Sequence, residues 1–222
     1  MKKKIYLFRH GQSNYNKQHK FAGWIDAKLS EQGVKDARII AEKLKDKRID
    51  IAYHSSLSRS RDTLSIVLKK HPECTRIIND DRIIERNYGD YSGGSKSIET
   101  FKNKSAKKQY QMLLKHNIIP KLRGFELDEY LTRLAEAELR IIRRSYYVRP
   151  PNGESVEDVE RRVVPFIKDV ITIMKDLKVN VAISAHGNSM RPILRYFRKM
   201  TPEEIMKVEF PFNDYYEFEV KV

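Results

Sequence analysis

A chain of 222 residues with 40% hydrophobic side chains is long enough to bury a sizeable core, which excludes a disordered segment. No apolar run approaches the roughly 18 residues of a membrane span, and one cysteine, Cys74, excludes an internal disulfide, so a reducing, cytoplasmic setting is expected. The formal net charge of +14 favours anionic partners (nucleic acid, acidic membrane or phosphorylated metabolite) without choosing among them, because many of the lysines are scattered along helices as on any solvated face.

In chain order, residues 4–8 read as a short buried strand that stops abruptly at Arg9-His10-Gly11. Residues 30–46 read as a helix, with Ser30 as N-cap and Val34, Ala37, Ile40, Ala41 and Leu44 as its apolar stripe. "IDIAYHS" (49–55) is a second strand leading into a helix from about Leu57 to Lys70, and "TRIIND" is a short third strand. After the turn-rich "NYGDYSGGS", residues 97–142 are rich in lysine and leucine. They read as a helical insertion, broken near Pro120 and Gly124. "RPPNGES" then punctuates the chain. Residues 154–177 form the clearest helix, with Val156, Val159, Val163, Phe166, Val170, Ile173 and Leu177 recurring at three and four. "VNVAISAH" (179–186) is an apolar strand ending on a histidine, "NSMRPILRYFRK" a helix with Pro192 in its first turn, and "YYEFEVKV" a closing strand.

Strands alternating with helices predict an α/β fold. A mostly parallel central sheet would be flanked by helices on both faces, in a single domain 1–222 carrying the 97–142 insertion. Ligands of such sheets bind off the carboxyl ends of the strands. Those ends deliver Arg9-His10-Gly11, Ser55 with Arg59 following, and His186-Gly187-Asn188 to one edge.

Two strand-end His-Gly pairs allow three readings. A metal site needs about three protein ligands, and His19, His54, His71 and His116 stand at no ligand spacing from His10 or His186, so no metal is expected. A structural reading makes both histidines satisfied turn residues. The third is phosphoryl transfer: His10 attacks phosphorus through a ring nitrogen. Arg9, Arg59 and His186 hold the phosphoryl oxygens, and Gly11 lets the backbone approach closely. A leaving oxygen then needs a proton, and Glu85 is the candidate acid, with a surface ion pair to Arg82 or Arg86 as its bland alternative.

"LFRHGQSNYN", "FAGWIDAKLSEQG", "SSLSRSRDTL", "ERNYGDYSG" and "AHGNSMR" together resemble the histidine phosphatase superfamily, and most closely its cofactor-dependent phosphoglycerate mutases. The likeness covers roughly residues 3–96 and 143–221. Lys96, eleven residues after Glu85, and "RRSYYVRPP", with Arg143 and Arg144, resemble mutase features in particular. The resemblance implies interconversion of 3- and 2-phosphoglycerate through a phosphohistidine on His10, primed by 2,3-bisphosphoglycerate and needing no metal. It implies Glu85 as proton donor and acceptor, Arg9, Arg59 and His186 as the phosphate pocket, and Gly11, Ser13, Asn16, Ala22, Gly23, Arg86, Tyr88, Lys96, Arg143, Arg144, Gly187 and Asn188 as substrate contacts. It also implies a homodimer acting on small phosphorylated metabolites, not on nucleic acid or membrane.

The chain departs from that pattern in the longer 97–142 segment, in Ala22 where a small hydroxyl residue is usual, in "PFNDYYEFEV", and in ending at Val222 where the mutases continue into a flexible tail. A phosphohistidine without a lid is more open to water, so a phosphatase acting on small phosphoesters or bisphosphoglycerate is the second expectation. A non-catalytic phosphate- or nucleic-acid-binding protein on the same fold is the third.

Overall fold

Alternation along the first strand decides which layers form around it. In a computed structural model describing residues 1–222, β1 (Lys2–Arg9) buries Ile5, Tyr6, Leu7 and Phe8. Successive strand side chains face opposite ways. Ile5 and Leu7 therefore join one core cluster, Tyr6 and Phe8 another. β2 (Ile51–His54), β3 (Arg76–Asn79), β4 (Val181–Ala185) and β5 (Tyr215–Lys221) complete a five-stranded sheet in the order β3-β2-β4-β1-β5. The first four strands in that order run parallel, and β5 pairs antiparallel with β1 at the edge. Arg9 lies opposite Ala185, and the His10 N–H donates to the Ala185 carbonyl at 2.9 Å. That register sets the two histidine-bearing strand ends side by side.

After β1 come the one-turn helix α1 (Asn14–Lys17), then α2 (Glu31–Leu44) and α3 (Ser58–Leu68). Ile40, Ala41, Leu44, Leu64 and Val67 of α2 and α3 cover Tyr6, Phe8, Ala52 and Ala182 on one face of the sheet. Ser30 caps α2, accepting the Gly33 N–H at 3.1 Å, a contribution of about 1 kcal/mol. The segment read as an insertion forms α4 (Ile98–Phe101), a π turn over Lys102–Ala106, α5 (Lys107–Lys115) and α6 (Gly124–Arg144). Its break falls where Asn117 and Gly124 take φ of 53°, conformations that favour Asn and Gly. Phe101, Ala106, Tyr110, Leu131, Ala135, Leu139 and Ile142 form a third apolar cluster around Phe21 of the loop after β1. The insertion thus packs on the main body, and α6 runs beyond residue 142 to carry Arg143 and Arg144 in its last turn.

The other face of the sheet is covered by α7 (Val156–Leu177), α8 (Gly187–Arg198) and α9 (Pro202–Lys207). Val156, Val159, Val163, Phe166 and Val170 of α7 are buried as their spacing requires, while Leu177 is half exposed at the helix end. Two short helices, α1 and α9, were not expected. Four and six residues are too few for a periodic stripe, although α9 carries a start signal in Thr201-Pro202-Glu203-Glu204, where Thr201 and Glu204 form a capping box. No helix is long and apolar enough to cross a membrane.

The loop after β1 is clamped by contact between backbones. A Cβ on Gly11 would stand 2.1 Å from the Gly33 carbonyl oxygen, and a Cβ on Gly33 would stand 2.0 Å from that of Gln12. The Gly11 N–H donates to Thr63 Oγ1 on α3 at 3.0 Å. Only glycine permits this approach. Gly33→Ala is therefore expected to lower stability by about 1–3 kcal/mol, as overpacking does, read as a lower midpoint of urea unfolding. An unchanged midpoint would show that the clamp has slack.

Candidate active site

His10 follows β1 and is 2% exposed. Its Nδ1 lies 2.7 Å from the Gly11 carbonyl oxygen. A carbonyl only accepts, so Nδ1 carries the proton and Nε2 keeps its lone pair. Burial, then the nearby Arg59 and Arg9 guanidiniums, push the imidazole well below its usual range. At neutral pH the ring is uncharged, with Nε2 available as nucleophile or base.

Around it stand cations held by carbonyl groups. Arg9 Nη1 donates to the Phe210 carbonyl at 3.0 Å, and its guanidinium lies 4.0 Å from the centre of the Phe212 ring. Arg59, on the first turn of α3, donates to the Ile25 and Gly23 carbonyls, both at 2.8 Å. The Nε–H of each arginine is buried without a partner. A buried unpartnered donor costs about 1–3 kcal/mol, a cost that an anion in the cleft would remove. His186 is fully buried, its ring centre 5.0 Å from that of His10. Its Nε2 meets Ser55 Oγ at 2.7 Å, while Nδ1 has no partner. Burial, then Arg59, also hold this ring well below the usual range.

Glu85 is fixed through both its backbone and its carboxylate. Its carbonyl accepts from Trp24 Nε1 at 2.7 Å and from Arg162 Nη2 of α7 at 3.1 Å. Carboxylate Oε1 accepts the N–H groups of Arg86 and Asn188, at 2.8 and 3.1 Å. Oε2 is the oxygen left for the cleft. Tyr88 Oη accepts from Asn188 Nδ2 at 3.0 Å, which joins this loop to the start of α8.

At the far end stand Lys96, Arg143, Arg144 and Arg191. Burial, then Arg143 and Arg9, bring the Lys96 ammonium down to about 8. Arg191, buried in α8, is brought down to about 10 by burial and then by Arg144, and it donates to the Val208 carbonyl at 3.0 Å. Arg144 pairs with Glu209. Six of the cleft's sixteen lining residues are Arg or Lys, against the carboxylates of Glu85 and Glu209, so the cleft suits an anion with charge at both ends.

The structure brings Arg9, His10, Asn16, Ala22, Gly23, Arg59, Glu85, Tyr88, Lys96, Arg143, Arg144, Gly187 and Asn188 to the wall of this one cleft. Four expected residues lie outside the wall. Gly11 makes a close approach to the backbone of α2. Ser13 caps α1, accepting the Asn16 N–H at 3.2 Å. Arg86 is fully buried and donates to the Ile142 carbonyl at 2.7 Å, tying the Glu85 loop to α6. His186 stands beside His10 without reaching the surface of the cleft. Sequence reasoning missed Arg191, Glu209 and Phe210. Arg191 had a signal, lying four residues after Gly187 and so on the same face of α8. The other two sit on a loop that only the folded chain returns to the cleft. No group of three or more His, Cys, Asp or Glu stands where it could hold a metal ion.

The model of the histidine phosphatase superfamily (branch 1) matches residues 5–137 and 119–221. A protein of Methanococcus vannielii named 2,3-bisphosphoglycerate-dependent phosphoglycerate mutase is 34% identical over 208 residues, 93% of this chain and 86% of its own. Among solved structures, a mycobacterial glucosyl-3-phosphoglycerate phosphatase aligns with a TM-score of 0.68 at 21% identity, covering 99% of this chain and 91% of that one. A phosphoglycerate mutase from Bacillus anthracis aligns with a TM-score of 0.66 at 22% identity, covering 98% and 88%. The two solved structures share the fold, and the sequence match extends along nearly the whole chain: this protein is an enzyme of the histidine phosphatase superfamily.

Proposed function

We propose that the protein is a phosphoglycerate mutase, interconverting 3- and 2-phosphoglycerate through a phosphohistidine on His10. The observation that carries this reading is the two-ended cleft. Removing a phosphoryl group needs only the His10 end. Lys96, Arg143, Arg144 and Arg191 add a second anion-binding end, which a phosphoglycerate's carboxylate or second phosphate would fill. The name of the Methanococcus relative points the same way.

In this reading Nε2 of His10 attacks phosphorus, and the bond from phosphorus to the departing oxygen breaks. Arg9 and Arg59 draw off the charge that builds on the phosphoryl oxygens, while Glu85 Oε2 gives its proton to the departing oxygen. In the return step the acceptor hydroxyl attacks the phosphoryl group on His10, and Glu85 takes the hydroxyl proton back. The primer 2,3-bisphosphoglycerate supplies the first phosphoryl group, and the six cations and the orphaned Nε–H groups of Arg9 and Arg59 fit such a polyanion. A cytoplasmic, homodimeric glycolytic enzyme accompanies this reading. The alternative, a phosphatase on small phosphoesters, uses the same His10 end with water as acceptor, and a phosphatase stands among the structural neighbours.

The deciding experiment supplies 3-phosphoglycerate with and without 2,3-bisphosphoglycerate and follows both the isomer and free phosphate. Isomer without phosphate is expected; phosphate alone would make the protein a phosphatase. His10→Ala is expected to reduce turnover and phosphoenzyme to background, and surviving phosphoenzyme would put the nucleophile elsewhere. Arg143→Ala is expected to weaken phosphoglycerate binding by about tenfold or more, as loss of a charge-assisted contact does. Hydrolysis of an aryl phosphate should change little, and equal losses on both would remove Arg143 from the substrate. Finally, Lys96 is an ammonium below about 8 and neutral above it. Phosphoglycerate affinity should therefore fall as the pH rises through that value. Lys96→Met should bind more weakly at pH 7 and lose that dependence, whereas an unchanged profile would assign the slope to another group.

A further inference from the structure

The distal end of the cleft holds one ion pair that the proposed reaction does not use. Arg144 in the last turn of α6 donates to the carboxylate of Glu209, which lies on the loop between α9 and β5. Burial raises the Glu209 carboxyl, but the bond to Arg144 and the fields of Arg144, Arg191 and Arg143 outweigh it and hold it below the usual range. Glu209 is therefore ionised at neutral pH. Its side chain is 73% exposed and that of Arg144 38%, and so open a pair contributes little to stability. It opens readily when another anion competes. Lys96 and Arg143 on the same wall have no such carboxylate.

We propose that Glu209 is a specificity-determining residue: its carboxylate occupies Arg144 in the free protein, and a ligand's second anionic group reaches Arg144 only by displacing it. The inference rests on the cleft taking a two-ended anion, as set out above. A phosphoester whose far end is neutral leaves the Arg144–Glu209 pair intact and meets no competition. One ending in a carboxylate or a second phosphate must open the pair and then stand near the displaced carboxylate. Glu209 thus narrows the margin by which the cleft prefers doubly anionic phosphoesters, and it restores a counter-ion to Arg144 whenever product leaves. It is not a catalytic residue in this account, because it acts on the far end of the ligand and not on the reacting atoms.

The test is calorimetric titration of wild type, Glu209→Gln, Arg144→Gln and the double variant. The probes are 3-phosphoglycerate, glycerol 3-phosphate, which has a hydroxymethyl group in place of the carboxylate, and inorganic phosphate. Glu209→Gln is expected to tighten 3-phosphoglycerate about five- to tenfold, roughly 1 kcal/mol or slightly more, and to leave the other two probes unchanged within about twofold. The gain should vanish in the Arg144→Gln background, the signature of a pairwise coupling. Equal tightening of all three probes would overturn the proposal by reducing Glu209 to a general field. Weaker 3-phosphoglycerate binding would overturn it by showing that Glu209 holds Arg144 in place for the ligand. Failure of 3-phosphoglycerate to bind any variant more tightly than inorganic phosphate would overturn it as well. Because the titration reads binding and not turnover, 3-phosphoglycerate that binds as expected without being isomerised would defeat only the mutase reading.

Discussion

His10 donates its Nδ1 proton to the carbonyl of the very next residue, and the chemistry of the site rests on that bond staying in place. It fixes the tautomer, points the basic nitrogen away from the backbone, and holds the ring at the carboxyl end of β1. The acceptor carbonyl is held in place because Gly11 is pressed against the first turn of α2 and its N–H is bound to Thr63 of α3. Glycines at 11 and 33 thus set the geometry of the His10 ring. A side chain at either position would push the loop off the helix and take the Gly11 carbonyl with it.

The second constraint is electrostatic. Arg9, Arg59 and Arg191 are held in the cleft chiefly by backbone carbonyls, which orient the guanidiniums without neutralising them. Burying a charge without a countercharge is costly. Here the cost is visible as arginines and Lys96 shifted below their ordinary ranges and as Nε–H groups left unpaired. Burial and then the same field keep the His10 ring neutral, so the cations that favour an arriving anion also leave Nε2 with its lone pair. Glu85 escapes this pull on its position because Trp24, Arg162 and two backbone N–H groups hold it from several sides.

The helical insertion changes meaning once it is folded. By composition it is a lysine- and leucine-rich segment without evident chemistry. In the structure it packs around Phe21, against the loop bearing Ala22 and Gly23, and ends by placing Arg143 and Arg144 in the cleft wall. Arg86 lies outside the cleft wall and bridges the loop of Glu85 to the end of this helix. A buried hydrogen bond therefore joins the loop of Glu85 to the helix that carries the distal cations Arg143 and Arg144.

The sequence by itself determined the sheet, the main helices and a set of candidate reacting groups. Apolar runs of period two and stripes of period three and four dictate elements locally, and strand-end residues of a parallel sheet must share an edge. His10, Arg9 and Arg59 could be picked out from their places at strand ends, whereas Glu85 and Asn188 stood out only through the resemblance to a known family. Only the tertiary structure decided which nitrogen of His10 is free. The same holds for Gly11 and Ser13, which serve the loop and a helix cap, and for His186, which lies behind the wall. The tertiary structure alone also shows that Glu209, far along the chain on an unpatterned loop, returns to face Arg144. Those outcomes depend on contacts between residues distant in sequence, and no periodicity or local propensity encodes the distance between two side chains that meet only when the sheet has closed its layers.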